Sequence, residues 1–125
     1  MIVGTGIDIV EIKRIKNILN KWGDRFLKRI YTEKEKKYCE KKKNMYIHLA
    51  ARFAAKEALV KMLGTGMKQI KWTEIEITNN RKGKPEINLY GKALLIAKQQ
   101  EISIIHISIS HEKEYAVAQV IGESI

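Results

Sequence analysis

The chain has a single cysteine, Cys39, in 125 residues, which excludes an internal disulfide and any multi-cysteine zinc site. A lone thiol suits a reducing compartment, and a cytoplasmic location is the expectation. No apolar run approaches the length of a membrane span. Met1-Ile2-Val3-Gly4 enters a strand-like pattern without a basic leader, so no signal peptide is expected. Repeats, low-complexity tracts and linkers are absent, and one domain over residues 1–125 is expected. Two nucleotide signatures are missing as well. There is no Gly-x-x-x-x-Gly-Lys-Ser/Thr, hence no P-loop, and Gly4-x-Gly6 lacks the third glycine and the helix start of a dinucleotide loop.

Acidic residues are scarce. Against 24 Lys and Arg there are 14 Asp and Glu, a net charge of +10. The imbalance is uneven: residues 1–61 hold 16 basic and 7 acidic side chains, residues 62–125 only 8 and 7. A basic half implies an acidic partner: nucleic acid, a phosphorylated ligand or an acidic protein. Aromatics are few, 7%, and sit at packing positions instead of interleaving with the basic residues. No helix-turn-helix pattern occurs, so a nucleic-acid-binding module without catalysis has only charge in its favour. It stands as the alternative reading, beside a non-catalytic scaffold.

What is present reads as mixed structure. Residues 2–10 form a β-branched strand with Gly4 and Gly6 permitting close backbone approach. Asp8 lies between Ile7 and Ile9, and as a plain strand residue it faces solvent while they face the core. Residues 11–22 read as an amphipathic helix with Ile12, Ile15, Ile18, Leu19 and Trp22 on its apolar stripe. Thr32 followed by Glu35 is a capping box opening a short helix through Cys39, a packed thiol with no activating base nearby. Residues 72–78 and the segment after Pro85 alternate as two strands around a turn, residues 91–100 read as a helix, and 103–110 and 115–121 as strands. Ile105, Ile107 and Ile109 share one face of their strand, and His106, Ser108 and Ser110 the other. This order predicts an α+β fold with a mainly antiparallel sheet packed against helices.

The long helix of the chain includes residues 52–61. Tyr46, Leu49, Phe53 and Val60 recur on one stripe, and Glu57 falls on it. A carboxylate there is costly unless it is paired or binds a cation. Lys61, four residues on, offers a simple helix ion pair. With Asp8 as a second carboxylate in an apolar setting, the alternative is a magnesium–phosphate site, since Mg²⁺ takes one or two protein carboxylates and completes its shell with water and phosphate oxygens.

Three motifs in order, residues 6–12 (GIDIVEI), residues 52–58 (RFAAKEA) with Lys61, and residues 108–111 (SISH) before Tyr115-Ala116, resemble the holo-acyl-carrier-protein synthases, the short bacterial branch of the 4′-phosphopantetheinyl transferases. The resemblance extends to about Val120. It implies a homotrimer with sites at subunit interfaces, and transfer of 4′-phosphopantetheine from coenzyme A to a serine of an acidic apo-acyl carrier protein, releasing adenosine 3′,5′-bisphosphate. It implies Mg²⁺ held by Asp8 and Glu57, with Lys61 neutralising the leaving group and Glu57 taking the serine proton directly or through a water. By the same resemblance Arg52 and His111 meet the coenzyme A 3′-phosphate, and Gly83 and Pro85 lie along the adenosine. Arg14 docks the carrier, with Lys13, Lys21 and Arg25 beside it. Neither nucleic acid nor a membrane is an expected partner.

Overall fold

The computed structural model describes residues 1–125. It is organised on the contact between strand β1 (Ile2–Glu11) and helix α4 (Met45–Leu63). The helix ends at Gly64, whose left-handed backbone (φ 75°) lets its N–H reach the carbonyls of Val60 and Lys61. Strand and helix lie backbone to backbone. A Cβ on Gly6 would stand 1.8 Å from the carbonyl oxygen of Ala58, and one on Gly4 2.7 Å from that of Met62. Only glycine permits that approach. The face carrying Gly4, Gly6, Asp8 and Val10 is therefore turned to the helix, while Ile7 and Ile9 point outward, 58% and 63% exposed. The simple alternation expected for Asp8 is thus reversed. The two glycines select the packed face, and two isoleucines are left in the open.

β1 is an edge of an antiparallel sheet of order β1-β5-β4, with β4 at Ile104–His111 and β5 at Tyr115–Glu123. Ala118 pairs with Asp8 on one side and Ile109 on the other. Ile107, Ala116, Ala118 and Val120 are buried beneath α4, and His106, Ser108 and Ser110 face away, as the period-two pattern predicts. A second antiparallel pair joins β2 (Ile75–Asn79) to β3 (Pro85–Leu89). Helices α1 (Ile12–Trp22), α2 (Asp24–Ile30), α3 (Glu33–Glu40) and α5 (Gly91–Gln99) complete the α+β fold. Helix α2, seven residues long, is too short to show a period and was not expected; the 3-10 turn Trp72–Glu74 likewise replaces the start of an expected strand.

Helix α4 is buried almost all round, with Leu49, Ala50, Ala54, Ala55, Ala58, Leu59 and Val60 in the core. Its open side is the line Tyr46, Phe53, Glu57 and Lys61. Glu57 does share a stripe with Tyr46 and Phe53, but that stripe faces the site and not the core. Trp22 is similarly displaced from its expected core role and is 50% exposed. Glu76, which the alternation of residues 72–78 sets on the face opposite Ile75 and Ile77, is buried too, and it accepts hydrogen bonds from the hydroxyls of Thr32 and Tyr90.

A fully buried ion pair ties these layers together. Lys56 Nζ lies 2.6 Å from Glu35 Oε1 and donates also to the carbonyls of Ile30, Trp72 and Ile75. Glu35 accepts from the N–H groups of Thr32 and Ile77 as well, so the capping box of α3 holds β2 and α4 together. Burial pulls the Lys56 ammonium below its ordinary pKa, against the opposing effect of Glu35.

Candidate active site

Asp8 reaches the site from the helix-facing side of β1, and Glu57 and Lys61 from the open side of α4. Lys61 Nζ donates to Asp8 Oδ1 at 3.1 Å and to the Ile7 carbonyl at 3.0 Å. It forms no ion pair with Glu57; its salt bridge runs across to β1. Asp8 is well covered there, its side chain 15% exposed. Burial, and then the negative charge of Asp8, hold the Glu57 carboxyl above the usual value, opposed by Lys61 and Arg14. Two carboxylates that repel one another and a lysine drawn onto one of them describe a site that asks for a cation. Hard oxygen donors of this kind fit Mg²⁺. No group of three or more Asp, Glu, His or Cys side chains is placed to hold a metal ion. Lys61 also lines a shallow recess of about 300 Å³ with Thr5, Gly6, Ile7 and Gln119.

Arg52, nine residues before Lys61 on α4, is about 13 Å away along the helix axis. It is buried, 3% exposed. Its Nη2 donates to Asn79 Oδ1 at 2.6 Å, while its Nε has no partner. Asn79 in turn donates to the Gly83 carbonyl, and Asn80 Oδ1 accepts the N–H groups of Lys82 and Lys84. The turn that carries Gly83 (φ 84°) and leads into Pro85 is thereby fastened beside Arg52. His111 closes the other side through His48, with ring centroids 6.4 Å apart. Arg52 also lies over the Tyr38 ring, 4.2 Å from its centroid. His48 and Tyr38 were not singled out in the sequence. An (i, i+4) relation between His48 and Arg52 was the available signal.

The basic residues of α1 do not form one surface. Lys21 and Arg25 sit over the exposed Trp22 ring, 5.3 and 5.8 Å from its centroid. Trp22 and Arg25 line a groove with Ile18, Phe26, Phe53 and Trp72, in which the Phe53 and Trp72 rings stack at 5.2 Å. Arg14 is one turn back on that side, and its charge is felt at Glu57. Lys13 lines a different cavity, with Lys16, Tyr46 and Lys113. No helix is long and apolar enough to cross a membrane.

A family model described as the 4′-phosphopantetheinyl transferase superfamily matches residues 4–120. The chain is 53% identical over 123 residues to a holo-[acyl-carrier-protein] synthase of Halothermothrix orenii, covering 98% of each, and 50% identical to one of Clostridium tetani, covering 98% of this chain and 97% of that protein. Among solved structures it is similar to the holo-[acyl-carrier-protein] synthase of Neisseria meningitidis, with a TM-score of 0.90, 39% identity and coverage of 99% and 100%. It is also similar to that of Bacillus anthracis in complex with CoA (3′,5′-ADP), with a TM-score of 0.82, 43% identity and coverage of 100% and 99%.

Proposed function

The chain belongs to the holo-[acyl-carrier-protein] synthases of the 4′-phosphopantetheinyl transferase superfamily, and from that premise we propose which of its residues carry the reaction. The enzyme transfers the phosphopantetheine group of coenzyme A to an apo-acyl carrier protein. The carrier's serine hydroxyl attacks the phosphorus bearing the pantetheine arm, the bond to the bridging oxygen breaks, and adenosine 3′,5′-bisphosphate leaves.

Asp8 and Glu57 hold Mg²⁺, which when bound supplies electrostatic stabilisation to the reacting phosphates. The observation that carries this reading is the Lys61–Asp8 contact beside a Glu57 carboxyl that Asp8 disfavours ionising. Lys61 brings a further positive charge toward the departing oxygen. Glu57, directly or through a water, takes the serine proton. Arg52 meets the 3′-phosphate, His111 stands by it, and the Gly83–Pro85 turn fastened by Asn79 lies along the adenosine.

Self-association completes the site. β1 is a ten-residue edge strand with Val3, Ile7 and Ile9 exposed, a surface that folded proteins normally cover. The recess at Lys61 is shallow in one chain. A homotrimer that buries this face encloses it. The carrier docks on the side of α1 carrying Arg14 and Lys21 together with Arg25 of α2, where the Trp22–Phe26–Phe53–Trp72 groove adds an apolar anchor to the charged rim. Lys13, on the flank, steers and does not anchor. The test is the mass of an apo-carrier incubated with coenzyme A and Mg²⁺. Gain of one phosphopantetheine in wild type, and its loss in Asp8→Asn and Glu57→Gln with the fold intact, is the expected result; full turnover in either variant at limiting Mg²⁺ removes that ligand.

A further inference from the structure

Around Arg52, side chains from three elements form a cluster whose charge is all of one sign. The Tyr38 ring of α3 carries the Arg52 guanidinium at 4.2 Å and Lys42 Nζ at 4.7 Å. It meets the His48 ring edge-on at 5.8 Å, and His48 of α4 meets His111 at the end of β4 at 6.4 Å. Behind Tyr38, Lys34, Lys37 and Lys41 line the adjoining cleft. Every charge that bears on His48 is positive: Arg52, Lys42 and His111. The buried Arg52 Nε has no acceptor within the chain.

His48 occupies a particular place in this cluster. It is half-buried, whereas His111 is exposed. Burial first, then the charges of Arg52, Lys42 and His111, hold its imidazole below the ordinary histidine value. A phosphate monoester carries close to two negative charges at that pH. Seated on Arg52, it reverses the field at His48, and an opposite charge within about 4–6 Å favours the protonated ring.

We propose that His48 is a proton-coupled binding residue for the 3′-phosphate of coenzyme A: it takes one proton from solvent as the phosphate dianion docks on Arg52, and returns it when adenosine 3′,5′-bisphosphate leaves. The inference rests on the reading that Arg52 and His111 hold that phosphate. It makes discrimination between coenzyme A and dephospho-coenzyme A a function of pH, since only the former brings the charge that protonates His48.

The experiment is titration calorimetry at pH 7.0 in several buffers of different ionisation enthalpy, with Mg²⁺ constant, using coenzyme A and dephospho-coenzyme A as ligands. Coenzyme A is expected to bind with uptake of roughly half a proton or more, and dephospho-coenzyme A with none. His48→Gln is expected to abolish the uptake and weaken coenzyme A roughly three- to tenfold while dephospho-coenzyme A is unchanged; His111→Gln retains the uptake. Uptake that persists in His48→Gln, or that is equal for both ligands, overturns the proposal. Arg52→Ala separates the two levels of the argument. If it leaves the preference for coenzyme A intact, the phosphate reading itself is wrong; if the preference collapses but the proton count of His48→Gln matches wild type, only the role of His48 is wrong. Independently of the variants, the imidazole titration of His48 followed by NMR moves up by about one pH unit or more on adding adenosine 3′,5′-bisphosphate, and an unmoved midpoint refutes the coupling.

Discussion

Lys61 on α4 bonds Asp8 on β1 at 3.1 Å and leaves Glu57, one turn away on its own helix, without an ion-pair partner. A local helix pair would have stabilised α4 alone. The cross-element contact instead puts a cation between two carboxylates whose positions come from different parts of the chain, and the first prediction follows from it.

Replacing Asp8 by Asn or Glu57 by Gln lowers kcat by roughly 10²–10³-fold, the scale on which removing one electrostatic stabiliser acts. Thermal melts stay near wild type because neither side chain is a core packing group. Removing the metal with EDTA abolishes carrier modification, and Mg²⁺ restores it. Either variant melting far below wild type would show that its carboxylate is structural.

Sedimentation at micromolar concentration gives about three times the 14.4 kDa chain mass if the outer face of β1 is buried between copies. Ile9→Glu, on that face, yields monomers and loses activity together with assembly. A fully active monomer would place the whole site within one chain.

Arg14→Glu raises KM for the carrier at least tenfold with smaller effects on kcat and on KM for coenzyme A, and it flattens the salt dependence of kcat/KM, because rim charges act on encounter and are screened. Trp22→Ala weakens carrier binding without changing its salt slope. If Arg14→Glu instead raises KM for coenzyme A and spares the carrier, Arg14 belongs to the phosphate site.

Breaking the buried pair is costly in the folded state. Lys56→Met leaves Glu35 uncompensated, and Glu35→Gln leaves Lys56 so; each destabilises by about 3–5 kcal/mol in chemical denaturation. Cys39 gives a companion probe. It is fully buried, and burial pushes its thiol up to about 11. A thiol reagent at pH 8 therefore reacts with the native protein far more slowly than with the unfolded chain, and Lys56→Met accelerates it. Equal rates in native and unfolded protein would contradict the packing of α3 on α4.

In the ligand-free protein the folded pKa of His48 lies below its unfolded value. The unfolded chain therefore binds more protons near pH 6.5, so stability rises with pH through that window and is lost as pH falls below it. Melting temperatures measured between pH 8 and 5.5 should fall less in His48→Gln than in wild type. An identical pH profile for the two proteins would mean that His48 titrates alike folded and unfolded.

The antiparallel α+β fold was legible because strand alternation and the Thr32 capping box are local signals. Three features were not. The orientation of β1 was misjudged because the helix that selects its face comes about 50 residues later in the chain. The open side of α4 was hidden by its composition, since small alanines and a buried lysine on the covered sides obscure the contrast that marks an amphipathic helix. Glu35 reads as a cap, and its second role as the counter-ion of Lys56 depends on a contact 21 residues distant. His48 carried only its (i, i+4) relation to Arg52, its other neighbours coming from α3 and β4.

The first and last strands are partners: Ile2 pairs with Glu123 and Glu11 with Tyr115, and the Met1 amino group donates to the Ser124 carbonyl. The order of synthesis on the ribosome therefore matters. Asp8 is made well before Ala118, the residue of β5 that pairs with it. Until β5 is released, β1 has no hydrogen-bonding neighbour in its sheet, and its isoleucines face water beside α4. The nascent chain consequently carries a bare strand edge while the intervening residues are made, and the closing of this sheet between strands far apart in sequence is the expected slow step of folding.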